Sequence, residues 1–282
     1  MSDDVSRVRD LLRVPPGSPA VVRDEGTRDH PLVKDKATAR AQVEALGPRL
    51  AELQSRLYAE GQTGGTRRVV VVLQAMDTGG KDGAVKRVLG LVNPAGVSAH
   101  AFAAPTPEEL SHDFLWRVKR ALPAPGMLGV FNRSHYEDVL IVRVHDLVPR
   151  DEWERRYDLI NAWEAEQAAQ GVVFLKCFLH ISAKEQRERL LARLDDPAKY
   201  WKIDPADLEE RRHWDAYQEA YGAVLSRCST DVAPWYVVPA DRKWHRDWAL
   251  AHLLLETLEE MAPRWPARPD LDLEGMRRAL GG

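Results

Sequence analysis

The sequence holds only two cysteines, Cys177 and Cys228, among 282 residues. Their separation fits no metal-binding spacing, and so few thiols exclude a disulfide-stapled scaffold; the chain is expected in a reducing cytoplasm. Net charge is also scarce. Against 43 acidic residues stand 40 basic ones, leaving −3, which argues against sequence-independent binding of nucleic acid as the main task. No apolar run reaches membrane-spanning length, and the opening MSDDVSRVRD is polar and acidic, unlike a secretory leader. Neither nucleic acid nor membrane is therefore an expected partner. No internal repeat is present.

What is present is a chain 44% hydrophobic and long enough for one large α/β domain with appendages. Residues 1–35 are polar, rich in Pro and Gly, and read as an extended N-terminal arm. Helical spacing of Ala41, Val43, Leu46, Leu50, Leu53 and Leu57 predicts a helix over 36–62, which Gly47-Pro48 would kink or split. Strands are expected at 69–74, 97–103, 127–132, 172–181 and 235–238. Helices are expected between them: 84–91, 107–121 (opened by a Thr106/Glu109 capping box with Pro at its first position), 134–144, 153–170, 182–194 (a second box, Ser182/Glu185), 204–228 and 244–261. A Pro-rich tail follows. Strands alternating with helices predict a parallel five-stranded sheet covered on both faces, with the ligand at the carboxyl ends of the strands.

The most informative stretch lies at such an end. Residues 69–83 read VVVVLQAMDTGGKDG: a β-branched run, a glycine turn, then a helix start. That arrangement cradles phosphates with backbone N–H groups and the helix N-terminus. Thr78, Gly79, Gly80 and Gly83 would form the cradle, and Lys81 would add charge. Lys86 and Arg87, one turn on, either extend the positive field or form a solvated face. The loop departs from a strict phosphate loop at Ala75, where Gly is usual, and at Asp82, where Ser or Thr would reach Mg²⁺. Asp77 is a carboxylate inside an anion site, so it either serves a cation, Mg²⁺ above all, or caps the helix. Asp82 in the first helical turn is favourable for dipole reasons alone.

The third strand ends in Asn132-Arg133-Ser134-His135-Tyr136-Glu137. Many phosphate-loop enzymes place a Mg²⁺-holding Asp at this strand end. Asn132 offers an oxygen without charge, Arg133 can stabilise a transferring phosphoryl group, and Glu137 can restore the carboxylate. Alternatively each is a surface cap or ion pair. Residues 184–214 carry basic and acidic residues in equal number and read either as a solvated helical hairpin or as a lid over donor phosphates, with Arg189, Arg193, Lys199, Lys202, Arg211 and Arg212 as its grips. His112 and His135 are read as structural, and the nine tryptophans as core or lid packing.

The segments AMDTGGKDGAVKRV (75–88), NPAGV (93–97), APTPEE (104–109), HDFLWR (112–117), FNRSHYEDVL (131–140), RLDDPAKYWK (193–202) and PWYVVPADRKW (234–244) together resemble the family-2 polyphosphate kinases over about residues 30–265. The resemblance implies a three-layer P-loop kinase-like (thymidylate kinase-like) α/β fold spanning 36–265, with a helical lid near 184–214 and a tail from 266 to 282. It implies Mg²⁺-dependent (or Mn²⁺-dependent), reversible phosphate transfer between inorganic polyphosphate and nucleotides. Asp77, Lys81 and Arg133 match the family's catalytic positions. Asn132 with Glu137 resembles the subclass that accepts both AMP and ADP, yielding ADP and ATP. Arg117, Lys119 and Arg120 would line the polyphosphate channel, Asp77 and Glu137 would hold the metal, and a cytoplasmic homodimer or homotetramer is expected. Two other readings stay open: an ATP-dependent nucleoside monophosphate kinase, and a non-catalytic phosphate-binding regulator.

Overall fold

The computed structural model describes residues 7–281. Five strands form one wholly parallel sheet: β1 (Arg68–Gln74), β2 (Val97–Ala101), β3 (Leu128–Asn132), β4 (Val172–His180) and β5 (Trp235–Pro239), in the order β2-β3-β1-β4-β5. The apolar runs read from the sequence become the central strands β1, β3 and β4, buried on both faces as parallel strands require. Register places Leu73 beside Asn132, Gln74 beside Phe178 and His180 beside Pro239. The carboxyl ends of β1, β3, β4 and β5 therefore open onto one edge, and the chain reverses sheet direction around β1, where ligands of such sheets bind.

The arm is not simply extended. It contains α1 (Val8–Leu12), whose Val8 and Leu12 are buried, and Arg13 bridges to Tyr236 on the edge strand β5. Further along, Thr27 donates through Oγ1 to Asp241 (3.0 Å), and His180 bonds the carbonyl of Arg23 (2.6 Å). The arm thus straps the carboxyl ends of β4 and β5. Asp35 caps α2 (Lys36–Gln62) by accepting from the Thr38 amide, and the helix runs on unbroken through Pro48. Its buried stripe of Leu46, Leu50, Leu53 and Leu57 faces the long helix Lys243–Met261 and outweighs the one backbone hydrogen bond that a proline removes.

The helix α3 begins at once after the loop and spans Lys81–Leu89, three residues earlier than expected. The expected helix 107–121 is two short ones, α4 (Pro107–Leu110) and α5 (Trp116–Ala121). The Thr106/Glu109 capping box forms as read, but the Asp113 side chain accepts from the Leu115 amide (3.0 Å) in a turn that separates the two helices. Residues 135–139 are a 3₁₀ turn ahead of α6 (Ile141–Val144), not one helix. α7 (Arg150–Ala169) and α8 (Ala183–Leu194) follow. At α8 only half of the second capping box exists: Ser182 accepts from the Glu185 amide, while the Glu185 carboxylate holds Arg189 at 2.8 Å instead. The segment expected as a helix from 204 is a 3₁₀ turn at Pro197–Lys202, α9 (Ala206–Glu210), another 3₁₀ turn, and α10 (Trp214–Cys228). α11 (Lys243–Met261) closes the sheet layer, and the tail ends in α12 (Leu273–Ala279). Helices α2, α3 and α11 cover one face and α7 with α10 the other, which makes three layers. Among the described residues no helix is long and apolar enough to cross a membrane.

One charge lies inside this core. Lys176, at the centre of the apolar run of β4, is fully buried and donates to Glu164 of α7 (2.6 Å), to the Tyr136 hydroxyl (2.8 Å) and to the Cys228 carbonyl (2.7 Å). Glu164 also accepts from Tyr136 (2.9 Å) and pairs with His135 (3.1 Å). All three ammonium protons are used, which is the condition under which a buried pair is tolerated. We expect Lys176→Met to destabilise the fold by about 3 kcal/mol or more, because Glu164 is left buried without its cation. Adding Glu164→Gln should recover part of that loss. Urea unfolding of both variants checks the order.

Candidate active site

The edge at the carboxyl ends holds a cleft of about 790 Å³. Its floor is the loop after β1. The loop closes tightly: the Gly79 amide donates to Met76 O (2.9 Å), and a Cβ on Gly79 would sit 2.4 Å from the Ala75 side chain. The Ala found where strict phosphate loops have Gly is thus accommodated by Gly79. Backbone strain is concentrated here. Thr78, a β-branched residue, has φ +61°, Gly80 has φ +93°, and Arg133 across the cleft has φ +64°. Such conformations persist where surrounding contacts impose them, and they gather at functional sites.

Two buried guanidinium groups impose them in this loop. Arg189 of α8 donates to Thr78 O (2.9 Å) and to the carbonyls of Ala240 and Asp241 after β5 (2.6 and 3.1 Å). Arg246 in the first turn of α11 donates to Gly80 O (3.1 Å) and is itself held by Asp247. Gln186 donates to Asp77 O (3.2 Å). The carbonyls of Asp77, Thr78 and Gly80 are thus taken by side-chain donors from α8 and α11. α8 thus forms a wall of the cleft, bonded to the loop. The rest of the polar excursion expected over 184–214, residues 195–213, brings Lys199, Lys202 and Asp207 to the cleft lining.

Lys81 sits at the start of α3 with its ammonium donating to Ala75 O (3.0 Å). Burial and the Arg133 guanidinium push its pKa down, while Asp77, Glu137 and Asp82 pull it back up. A phosphate arriving at the loop would add to the second group. Gly80, not Asp77, occupies the N-cap of α3. Asp77 instead accepts from Arg133 Nη2 at 3.3 Å, on the cleft wall, which removes the capping alternative. Asn132 donates to Asp82 (2.8 Å), and Lys202 approaches the same carboxylate at 3.6 Å, so Asp82 links the loop to the excursion.

Glu137 is not on the wall. The Gln74 amide, oriented by its network, donates to Glu137 Oε1 (3.0 Å) and accepts from Ser134. Burial pushes the Glu137 pKa up, and the Arg133 and Lys81 charges partly offset this. It supports the two cations from behind, a placement that does not present it to the cleft as a second metal carboxylate.

Of the lid candidates, Arg189, Arg193, Lys199 and Lys202 reach the cleft. Arg193 is also tied to Lys202 O (3.0 Å) and Asp207 (3.2 Å). Arg211 turns to Ala183 O and Gln186, bracing α8, and Arg212 pairs with Glu209 on the surface. Lys86 is exposed on the far side of α3. Arg117 and Arg120 do not line the cleft. Arg117 pairs loosely with Glu109 (3.8 Å) beside the Phe102 ring, and Arg120 lies 4.8 Å over the Trp116 ring. His112 stacks on Trp116, and His135 is in the core. Sequence reasoning missed Lys243 and Arg246, which line the cleft beside the loop. Their signal was available: cations in the first turn after a parallel strand end.

Among the described residues no group of three His, Cys, Asp or Glu side chains gathers into a metal cage. Of the carboxylates that line the cleft, Asp77 and Asp82 belong to the loop, and Asp82 is already engaged by Asn132 and Lys202, which leaves Asp77 as the hard carboxylate beside the phosphate cradle. That donor set suits Mg²⁺, which keeps waters and takes substrate phosphates in place of a protein cage.

A parallel sheet ordered around β1, with a glycine loop clamped at a helix N-terminus and cations converging from α8, the excursion and α11, defines a P-loop kinase-like protein. Residues 33–266 match the family model described as Polyphosphate kinase 2 (PPK2). The chain is 52% identical over 231 residues to an AMP/ADP-polyphosphate phosphotransferase of Meiothermus ruber, covering 82% of this chain and 85% of that one. It is 45% identical over 239 residues to an ADP-polyphosphate phosphotransferase of Rhodopseudomonas palustris, covering 80% of each. The crystal structure of polyphosphate kinase 2 from Arthrobacter aurescens TC1 superposes with a TM-score of 0.92 at 46% identity, over 98% of this chain and 97% of that one. This chain belongs to the polyphosphate kinase 2 family.

The clamp makes a prediction of its own. A Cβ at Gly80 would lie 2.0 Å from Arg246 Nη1 at a φ that disfavours side chains. Gly80→Ala should weaken binding of tripolyphosphate by at least about tenfold, or about 1.4 kcal/mol, as read by calorimetry.

Proposed function

We propose that this protein transfers phosphate between inorganic polyphosphate and AMP or ADP, with Mg²⁺ (or Mn²⁺) in the cleft. The observation that carries the reading is one phosphate loop surrounded by cations from four segments: Arg133 after β3, Arg189 and Arg193 of α8, Lys199 and Lys202 of the excursion, and Lys243 with Arg246 of α11. A donor made of phosphate alone needs this kind of surface. The AMP/ADP designation of the Meiothermus relative supports the acceptor class.

In this reading Lys81 exchanges the Ala75 carbonyl for a phosphate oxygen, and the loop amides hold the donor in line. Arg133 stands at the wall where the two phosphate chains meet and offsets the charge on the transferring group. Asp77 holds the metal, whose charge would neutralise the phosphate oxygens it shares. The acceptor phosphate is already ionised, so orientation matters more than a strong base. The same geometry serves both directions. A cytoplasmic homodimer or homotetramer is part of the proposal, and the buried, unpaired Cys177 and Cys228 are compatible with a reducing compartment.

Incubation with Mg²⁺, polyphosphate and either AMP or ADP should yield ADP and ATP. Phosphorylation of AMP only when ATP is supplied would make the protein a nucleoside monophosphate kinase, and binding without turnover would make it a regulator. Asp77→Asn and Lys81→Ala should each lower turnover by at least about a hundredfold, roughly 2.7 kcal/mol in barrier height. Wild-type rates in both folded variants would remove the site assignment.

Asn132→Asp would set a second carboxylate against Asp82, where a 2.8 Å hydrogen bond now stands. The ratio of AMP to ADP turnover should change, and an unchanged ratio in steady-state assays would sink the subclass reading.

A further inference from the structure

A second concavity, about 960 Å³, lies between the N-terminal turns of α2, the outer side of α3 and the start of α11. It is continuous with the cleft: Gly83, Lys243 and Arg246 line both. Its other cations are Lys36 and Arg40 of α2 with Lys86 and Arg87 of α3, all exposed. Only two carboxylates share it, Glu44 and Asp247. Asp247 is already taken by Arg246 (2.9 Å) and approached by Arg87 at 3.8 Å. Cations therefore extend from the phosphate loop, past Lys243 and the Asp247-held Arg246, to the first turns of α2, and they outnumber the carboxylates that line the groove. At the crossing, burial and the neighbouring Arg189 and Arg246 charges push the Lys243 pKa down, a cost that a bound anion would relieve.

The cleft beside Arg117, which Arg120 does not line, offers no such path. It is lined by Glu109, Asp113, Asp138, Glu152 and Asp158. Of its four cations, Lys119 pairs with Asp113 (3.5 Å), Arg117 with Glu109 (3.8 Å), and Arg156 with Asp138 (2.9 Å) and Glu152 (2.6 Å), so that five carboxylates face Arg155 as the one cation without an ion pair among the described residues. A polyanion longer than the main cleft must leave it somewhere, and every internal unit of inorganic polyphosphate keeps an ionised oxygen.

Resting on the proposed polyphosphate reading, we infer that the distal part of a long polyphosphate chain leaves the cleft across Lys243 and Arg246 and lies in the groove between α2, α3 and α11. Long chains then gain contacts that short chains cannot reach. Affinity rises with chain length, and Lys36 and Arg40 act only on chains long enough to arrive there.

The test compares the wild type with Lys36→Ala/Arg40→Ala, both exposed positions. With ADP and Mg²⁺, the double variant should raise KM for long-chain polyphosphate by about tenfold (about 1.4 kcal/mol) at unchanged kcat, with KM for tripolyphosphate and tetrapolyphosphate unaltered. The slope of log KM against log salt for the long chain should become shallower by about 1 to 2, because fewer counterions are displaced. Equal KM for both proteins at every chain length overturns the groove, as does an equal rise for short and long chains. Calorimetric binding of the same polyphosphates gives the comparison without turnover. A wild type that binds long chains through Lys36 and Arg40 but phosphorylates neither AMP nor ADP would separate a failure of the transfer reading from a failure of the groove.

Discussion

The Lys176–Glu164 pair is the interaction on which the active edge depends. It joins β4 to α7, and through Tyr136 and His135 it reaches the segment after β3. Those two side chains turn into the core and bond one carboxylate. Arg133 and Glu137, on either side of them, are thereby turned the other way. A buried ion pair of this sort is weak grounds for claiming extra stability, since apolar residues would fill the space as well. Its value here is directional. It fixes which side chains after β3 face inward, and so where the guanidinium opposite the phosphate loop is held.

The loop is held from the other side by a different device. Arg189 and Arg246 bring their charges to backbone carbonyls, not to the cleft alone. Each guanidinium is neutralised in part by an acid on its own helix, Glu185 or Asp247. The left-handed torsions at Thr78, where a β-branched residue is strained, and at Gly80 are therefore held by contacts from two helices that follow β4 and β5. The phosphate cradle is a joint product of three strand ends, although its sequence is contiguous.

That division explains what could be read from the chain beforehand. The strand run, the Gly-Gly-Lys turn and the Thr106/Glu109 box were legible because each is a local rule, satisfied within a few residues. The five parallel strands followed from the alternation of such segments. The break at 111–115 was not legible, because the Asp113 carboxylate takes the Leu115 amide in a local turn inside an otherwise helical pattern. Lys176 was read only as part of an apolar strand, since its partner lies on a helix with an unremarkable sequence. Arg246 was missed because its carbonyl partner is 166 positions away. Glu137 was read as a second metal carboxylate; that it lies off the cleft wall and accepts from Gln74 depends on a contact with another strand.

The N-terminal strap has a consequence for how the protein comes into being. Its amides at Val8 and Arg9 bond Glu256, and Thr27 bonds Asp241, at sequence separations of 248, 247 and 214. During synthesis these first residues leave the ribosome with none of their partners yet made. They remain solvated until the last strand and helix have been translated and packed. Contacts of such span close the largest loops in the chain and are entropically the slowest to form. Through Thr27 this segment reaches Asp241, in the same turn whose carbonyls hold Arg189, so the brace on the loop includes contacts of the widest sequence span.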